Sequence, residues 1–213
     1  NASLRYEGSS RFGANNKWAA FYGVGAGVAL HSLIDSDAID NLKLRISYGQ
    51  TGNEPGSSYI SLQRFGPAGN FYYNGAYTSS YGPTSNANPD LAWEIATHMN
   101  VGVDFAVLNS KLFGSVEYFT RETKDQLLSV NVPVPPNLVG QTLLNIGTTK
   151  NTGIEANVNF NAVDNGNFSW TTGVIFGTNS SELVSWTKDD LSFSGGVLYR
   201  ASMGSPGQSD VSL

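Results

Sequence analysis

Cysteine is missing from the sequence, which has 213 residues. Disulfide bonds and thiolate metal sites are therefore excluded, and an oxidising compartment is permitted but not required. The chain also lacks the runs of Ala, Leu, Glu and Lys that favour long helices. This composition disfavours a helical bundle.

Charged residues are scarce, and the positive ones are not clustered. Only 14% of the residues are charged, the formal net charge is -5 and the sequence pI is about 4.9. Because nucleic-acid binding needs clustered Lys and Arg to neutralise phosphates, the sequence predicts no nucleic-acid partner.

Residues that could support catalysis or metal binding are equally sparse. The two histidines, His31 and His98, are far apart in the sequence, and neither G-x-S-x-G nor H-E-x-x-H occurs. The GVGAG segment at 23–27 lacks the last glycine of the dinucleotide fingerprint, and no βαβ pattern surrounds it. We therefore predict that the protein is not an enzyme and has no cofactor, catalytic residue or metal site.

Glycine, aromatic residues and a two-residue hydrophobic alternation are abundant instead. There are 24 glycines, and 12% of the residues are aromatic, which suits strands joined by turns. Period-2 alternation of apolar and polar residues predicts a strand in each segment that repeats it. Seven segments do so: 2–7, 17–31, 42–49, 91–107, 111–121, 154–162 and 168–176.

The connections between these strands alternate between long and short. Long ones are predicted at 8–16, 51–90, 124–146 and from 185 onward, and shorter ones at 33–41, 109–110 and 163–167. A meander with all its long loops at one end is typical of outer-membrane barrels. The fold class predicted is therefore all-β, an antiparallel up-and-down transmembrane barrel of which this chain supplies about seven strands.

Aromatic residues are placed as in such a barrel. Trp93 and Phe105 are twelve positions apart, about 28 Å along the membrane normal for a strand tilted by about 45°. This is close to the height of the apolar band between aromatic girdles. We predict an upper girdle of Trp18, Tyr48 and Trp93 and a lower girdle of Phe105, Phe160, Phe168 and Trp170.

The same alternation predicts which side chains line a polar lumen. In 91–107 the apolar positions would face lipid and the polar positions water. The predicted lumen-facing residues are Arg45, Glu94, His98, Asn100, Asp104, Glu155 and Asn157. A soluble β-sandwich with one buried face gives the same alternation and remains the alternative.

The connection at 51–90 is rich in aromatic side chains among Gly, Ser, Asn and Pro. Aromatic faces stack on sugar rings, and Asn and Tyr hydrogen-bond to sugar hydroxyls, so a glycan or partner contact is predicted here. Equally, the loop could pack on itself or close the mouth of a barrel. The candidate contact residues are Tyr59, Phe71, Tyr72, Tyr73, Tyr77 and Tyr81.

Several stretches occur in an order that resembles the barrel of SusC/RagA-type TonB-dependent transporters of Bacteroidetes. They include LRYEGSSRFG, DNLKLRISYGQTGN, NPDLAWEIATHMNVGVDF, GSVEYFTRETKDQLL and NIGTTKNTGIEANV. The resemblance implies that residues 1–213 are one part of a 22-stranded barrel, with the plug domain and the remaining strands absent from this chain. It also implies the outer membrane of a Gram-negative bacterium as the location.

The same resemblance implies a function and partners. Such transporters take up oligosaccharides or peptides, are energised by the TonB complex and are covered by a SusD-like surface lipoprotein. Two alternatives remain open at this point: a secreted all-β glycan-binding module and a passive porin-like channel.

Overall fold

The main structural unit is a seven-stranded antiparallel sheet, and a computed structural model describes it over residues 1–34 and 38–185. Its strands, in sheet order, are β1 (Ala2–Gly8), β2 (Trp18–Ala29), β3 (Ile39–Asn53), β6 (Glu94–Val107), β7 (Leu112–Lys124), β10 (Thr148–Asp164) and β11 (Ser169–Ser185). Each strand pairs with the next in an up-and-down order. The predicted all-β antiparallel class and the seven main strands are confirmed.

Four shorter strands form two hairpins inside the long connections. They are β4 (Phe65–Tyr73) with β5 (Ala76–Pro83), and β8 (Leu127–Asn131) with β9 (Gln141–Asn145). A 3-10 turn at Leu30–Ser32 is the helical element of the described residues. No helix within the described ranges is long and apolar enough to cross a bilayer.

The connections alternate as predicted. Residues 9–17, 54–93 and 125–147 join strands at one end of the sheet, called here the long-loop end, and residues 30–38, 108–111 and 165–168 join them at the other. The long connection predicted from 185 onward lies outside the described residues. The hairpins were not predicted, although Asn74-Gly75 is a two-residue hairpin turn whose positive φ angles suit Asn and Gly.

The strand register collects the apolar side chains on one face. Leu44, Val103, Val116, Ala156 and Phe176 lie opposite one another across β3, β6, β7, β10 and β11. The next row, which points to the other face, contains Arg45, Gly102, Glu117, Glu155 and Gly177. A slip of one residue would exchange the faces, so these pairings fix an apolar face and a polar face.

The exposure of the two faces is the reverse of that in a soluble sheet. Large apolar side chains project outward: Trp18 is 64% exposed, Val174 is 70% and Phe160 is 43%. The buried residues within the seven-stranded sheet, Phe21 and Thr123 among them, belong to its polar face. A continuous exposed apolar surface of this extent marks contact with lipid or another apolar partner.

The exposed side chains of the apolar face form a belt, called here the apolar belt, which extends from Trp18 and Val28 on β2 to Trp170 and Phe176 on β11. The belt runs diagonally across the rows of residues that pair between strands. Val28, the outward apolar residue of β2 farthest from the long-loop end, is in the same row as Phe176 of β11. Beyond Phe176, towards the long-loop end, the outward residues of β11 become polar. The edge of the belt nearer the long-loop end shifts by about ten residues along the strands, from Trp18 on β2 to Phe176 on β11. The opposite edge shifts by about six residues, from Val28 on β2 to Trp170 on β11. With five strand spacings of about 4.8 Å, these slopes correspond to strand tilts of about 54° and about 40°. These values bracket the tilt of about 45° in transmembrane strands.

The predicted upper girdle is wrong at Trp93. The strand begins one residue later, at Glu94, so the alternation does not extend to Trp93. Its ring is 6% exposed and packs against Phe12 and Phe21. Trp18 and Tyr48, in contrast, lie on the apolar face, where Trp18 stacks on Tyr6 and Tyr48 stacks on Tyr22.

Candidate functional site

An ion cluster lies on the polar face across the three central strands. The Arg45 guanidinium on β3 donates to both carboxylate oxygens of Asp104 on β6, at 2.7 and 2.9 Å. Its Nη2 also lies 3.4 Å from Glu117 Oε2 on β7, and Asn100 Nδ2 donates to the other oxygen of Glu117. The cluster thus links three strands with a bidentate pair, the stronger geometry for Arg and carboxylate.

Gly102 provides the space that this arrangement needs. It lies directly between Arg45 and Glu117 in the register. A Cβ at Gly102 would lie 3.1 Å from Arg45 Nη2, so the missing side chain lets the guanidinium lie close to the backbone. All the charged members remain partly exposed, with side-chain exposures of 27 to 37%.

The other predicted lumen residues share this face but do not join the cluster. His98 lies opposite Arg121, Glu155 lies opposite Glu117, and Asn157 lies opposite Ser115. Glu94, at the long-loop end, accepts a hydrogen bond from the Leu127 backbone at 3.3 Å. Of the seven predicted residues, the structure brings together Arg45, Asn100 and Asp104 and adds Glu117.

A shallow depression lies beside the cluster on the same face. It encloses about 350 Å³ and is lined in part by Gly25, Gly27, Lys43, Arg45 and Asn100. Lys43 forms no ion pair within the described residues. The depression presents hydrogen-bond donors and the ammonium group of Lys43. The described residues contain no group of His, Asp or Glu side chains that could hold a metal.

The predicted aromatic contact residues lie mainly on the β4–β5 hairpin and are all exposed. The register places Tyr72, Tyr77 and Tyr81 on one face and Phe71 and Tyr73 on the other. Tyr72 and Tyr77 meet edge to face at 5.3 Å, and Phe71 lies 6.4 Å from Tyr73. Residues 65–83 contain no charged side chain. Tyr59 lies outside the hairpin and is 67% exposed.

The long-loop end has its own hydrophobic core, named here the loop base. It consists of Phe12, Phe21, Leu91 and Trp93, and Ile60, Leu127 and Leu143 pack around it. Side chains thus come from all three described long connections and from β2. The loop base holds the long connections together at the end of the sheet.

Two asparagines tie the second long connection to the third. The Asn86 carboxamide donates to the carbonyls of Val139 and Gln141 and accepts from the backbone of Leu138 and Val139. Asn145 donates to Ala92 O at 2.7 Å and accepts from Ala92 N at 2.7 Å. Because Asn145 is 6% exposed, these bonds satisfy amide groups that would otherwise be buried without partners.

Sequence reasoning missed Glu117 and the two asparagines for different reasons. Alternation places Glu117 on the polar face of its strand, but only the register shows that it meets Arg45. Asn86 and Asn145 contact residues more than 50 positions away. No local pattern in the sequence carries that information.

Comparison with known proteins agrees with this architecture. A family model described as TonB dependent receptor-like, beta-barrel, matches residues 1–203. The chain belongs to this family. Members of the SusC and RagA type are outer-membrane barrels, so the chain is part of an outer-membrane protein of a Gram-negative bacterium.

Relatives of the TonB-dependent receptor family align over most of the chain. It is 33% identical over 201 residues to the TonB-dependent receptor P39 of Formosa agariphila, and 31% identical over 195 residues to the TonB-dependent receptor SusC of Bacteroides thetaiotaomicron. The alignments cover 92% and 88% of this chain but 19% of each relative. The chain therefore spans about a fifth of the length of these relatives.

Solved structures of TonB-dependent receptor type show the same fold. The RagAB peptide importer in its open-open state matches with a TM-score of 0.76 and 27% identity, covering 93% of this chain and 22% of that one. Its closed-closed state matches with a TM-score of 0.75 and 28% identity, covering 88% and 20%.

Proposed function

We propose that the chain forms part of an active importer that takes up oligosaccharides or peptides across the outer membrane. The observation that carries the proposal is the inverted sheet, with an exposed apolar belt on one face and the Arg45–Asp104–Glu117 cluster on the other. Such a sheet suits a wall between lipid and a wet channel. Transport, not catalysis, is the activity that this wall would serve.

The polar face would line the lumen in this proposal. Arg45, Glu94, His98, Asn100, Asp104, Glu155 and Asn157 would then face the passing substrate or the domain that gates the channel. The Arg45 guanidinium lies between the carboxylates of Asp104 and Glu117, so this face presents charge of both signs. Neutral, polar substrates would pass such a surface with little net attraction or repulsion.

The aromatic hairpin would contact the substrate on the extracellular side, because longer loops are extracellular in these barrels. Three tyrosine rings and their hydroxyls share one face, and no charge interrupts the hairpin. This chemistry supports a neutral sugar chain on the face with Tyr72, Tyr77 and Tyr81. Phe71 and Tyr73, on the opposite face, and Tyr59, outside the hairpin, would contact the partner and not the substrate.

The partners proposed are a SusD-like surface lipoprotein as a lid and the TonB complex as the energy source. The lipoprotein would meet the long-loop end, and the TonB complex would act through regions of the protein outside this chain. The similarity to SusC and to the RagAB peptide importer supports both partners and leaves the choice between sugar and peptide to experiment.

Growth of a deletion strain tests the importer. The strain lacking the full gene should lose growth on one glycan or peptide of a panel, and the intact gene should restore it only while TonB is functional. Restoration without TonB would indicate a passive channel. A protein recovered in the soluble secreted fraction would instead support a binding module.

Paired hairpin variants test the contact. Replacing Tyr72, Tyr77 and Tyr81 by Ser should raise the substrate concentration needed for half-maximal growth. Replacing Phe71 and Tyr73 by Ser is the matched control on the opposite face of the same hairpin and should have a smaller effect. Equal effects would argue against a substrate site on the three-tyrosine face.

A further inference from the structure

Two Asn-Gly pairs occur in the sequence, and each lies in an exposed connection between strands. Asn74-Gly75 is the turn of the β4–β5 hairpin, and Asn165-Gly166 lies between β10 and β11. All four residues are exposed. Gly75 has a φ angle of +83° and Gly166 one of +82°, and nothing lies within 4 Å of where a Cβ would be at either glycine. The two pairs are therefore matched in sequence, exposure and glycine conformation.

The two asparagine side chains differ in their hydrogen bonds. Asn165 Oδ1 accepts from the backbone N–H of Asn167 at 3.2 Å and from that of Phe168 at 2.9 Å. The Asn165 N–H also donates to Phe168 O at 3.2 Å, so the side chain and the backbone are both held, as in an Asx turn. The Asn74 carboxamide forms no hydrogen bond to any residue that the structure describes. It is therefore free to turn towards the next peptide bond.

An asparagine that precedes a glycine can react with its own backbone. The nitrogen of the following residue attacks Cγ of the side chain, the bond from Cγ to the amide nitrogen breaks, and ammonia leaves with the proton of the attacking nitrogen. Water then opens the five-membered succinimide at either carbonyl, which gives aspartate or iso-aspartate. Glycine favours the attack because it has no Cβ to hinder the approach to its nitrogen.

We propose that Asn74 is a site of deamidation in the folded protein, whereas Asn165 is protected. The Asn74 carboxamide has no hydrogen bond to break before it reaches the Gly75 nitrogen. At Asn165, turning the carboxamide towards the next peptide bond costs the two bonds from Asn167 and Phe168. The proposal depends on these contacts and not on the importer function.

The reaction would change the hairpin in two ways. Residues 65–83 contain no charged side chain, so either product introduces a negative charge into a neutral hairpin. Aspartate keeps the two-residue turn, since Asp-Gly suits it as Asn-Gly does. Iso-aspartate adds a methylene group to the backbone, which disturbs the pairing of Tyr73 with Ala76 and of Tyr72 with Tyr77. Iso-aspartate at this turn would therefore separate two rings of the three-tyrosine face.

The test incubates the full-length protein in mild detergent at neutral pH, digests samples over time and measures both Asn-Gly peptides by mass spectrometry. Asn74 should deamidate faster than Asn165 by about tenfold or more, the factor expected from two modest hydrogen bonds at the protected site. In urea-unfolded protein Asn165 should react at a rate close to that of Asn74, because the turn that protects it is lost.

A variant of the hairpin turn provides the control. Asn74→Gly removes the reacting carboxamide and leaves Gly-Gly, which also favours a two-residue turn. The hairpin peptide of this variant should gain no mass, while Asn165 reacts at its wild-type rate. A folded-state rate at Asn74 equal to or below that at Asn165 would overturn the proposal. An unchanged ratio of the two rates after unfolding would overturn it as well, because the difference would then come from the neighbouring sequence and not from the hydrogen bonds.

Discussion

The spanning sheet and the loop base follow opposite packing rules within one chain. In the sheet, apolar side chains such as Val174 are exposed and the ion cluster lies on the other face. In the loop base, Phe12 and Leu91 are almost fully buried, as in a soluble protein. The difference shows that each region sorts its side chains for its own surroundings, hydrocarbon for the sheet and water for the loops.

The largest expected loss of stability comes from a substitution that disrupts the loop base. Trp93→Ala removes a buried ring that contacts Phe12 and Phe21, and it should lower the free energy of local unfolding by about 3–5 kcal/mol. Limited proteolysis of the full-length protein should then cut within 9–17 or 54–93 much faster. The control Tyr72→Ala, on the exposed hairpin, should leave cleavage of these segments unchanged. If Trp93 instead faced lipid, proteolysis would not distinguish the two variants.

The next largest effect is the difference in stability between placing an arginine on the apolar face and placing one on the polar face of the sheet. Val103→Arg places a charge near the middle of the belt on β6 and should cost about 2–4 kcal/mol. Ser47→Arg is the matched control, since Ser47 is exposed on the polar face of β3. Its cost should be below about 0.5 kcal/mol. Folding of the full-length barrel into lipid vesicles, titrated with urea, measures both, and equal costs would contradict the assigned faces.

A smaller effect concerns the bonds between the long connections. Asn145→Ala removes hydrogen bonds to the Ala92 N–H and C=O and should cost about 1–3 kcal/mol, because these groups lose their buried partner. Hydrogen exchange of the Ala92 amide should accelerate. Asn131→Ala is a suitable control, as Asn131 is an exposed residue of the β8–β9 hairpin. An unchanged Ala92 amide would show that Asn145 does not hold the two connections together.

The smallest expected effect on stability is in the ion cluster. Arg45→Met should cost less than about 1 kcal/mol, because the cluster is partly exposed to water. We expect it to alter the passage of charged solutes instead, since Asp104 and Glu117 lose their shared cation. Lys43→Met removes a charge from the same face without breaking an ion pair. A stability loss above about 3 kcal/mol for Arg45→Met would mean that the cluster is buried, not wet.

Much of the sheet could be predicted from the sequence, because alternation in a strand has a fixed period of two. Arg45 and Asp104 were assigned to the same face for this reason, and the structure places them in contact. The resemblance to known transporters, confirmed by the family match, supplied the architecture that alternation alone left open. The 22-stranded closure, the plug and the partners remain predictions.

The rest depended on contacts that no local pattern encodes. The prediction for Trp93 is wrong because β6 begins at Glu94, and at Trp93 the chain belongs to the loop base. Asn86 and Asn145 find their partners through folding of distant segments. The β4–β5 hairpin is different, because a local pattern does encode it. Asn74-Gly75 between two aromatic segments is a typical signal for a two-residue hairpin turn, although the hairpin was not predicted.

The most direct test of the inverted sheet is fluorescence quenching from single labelled cysteines. The sequence has no cysteine, so one introduced at Val103 or Ser47 reports on that position alone once any cysteine elsewhere in the full-length protein has been replaced. In reconstituted vesicles, a label at position 103 should be quenched by brominated lipid chains and one at position 47 by aqueous iodide. The reverse pattern, or equal quenching by both agents at both positions, would contradict the inverted sheet.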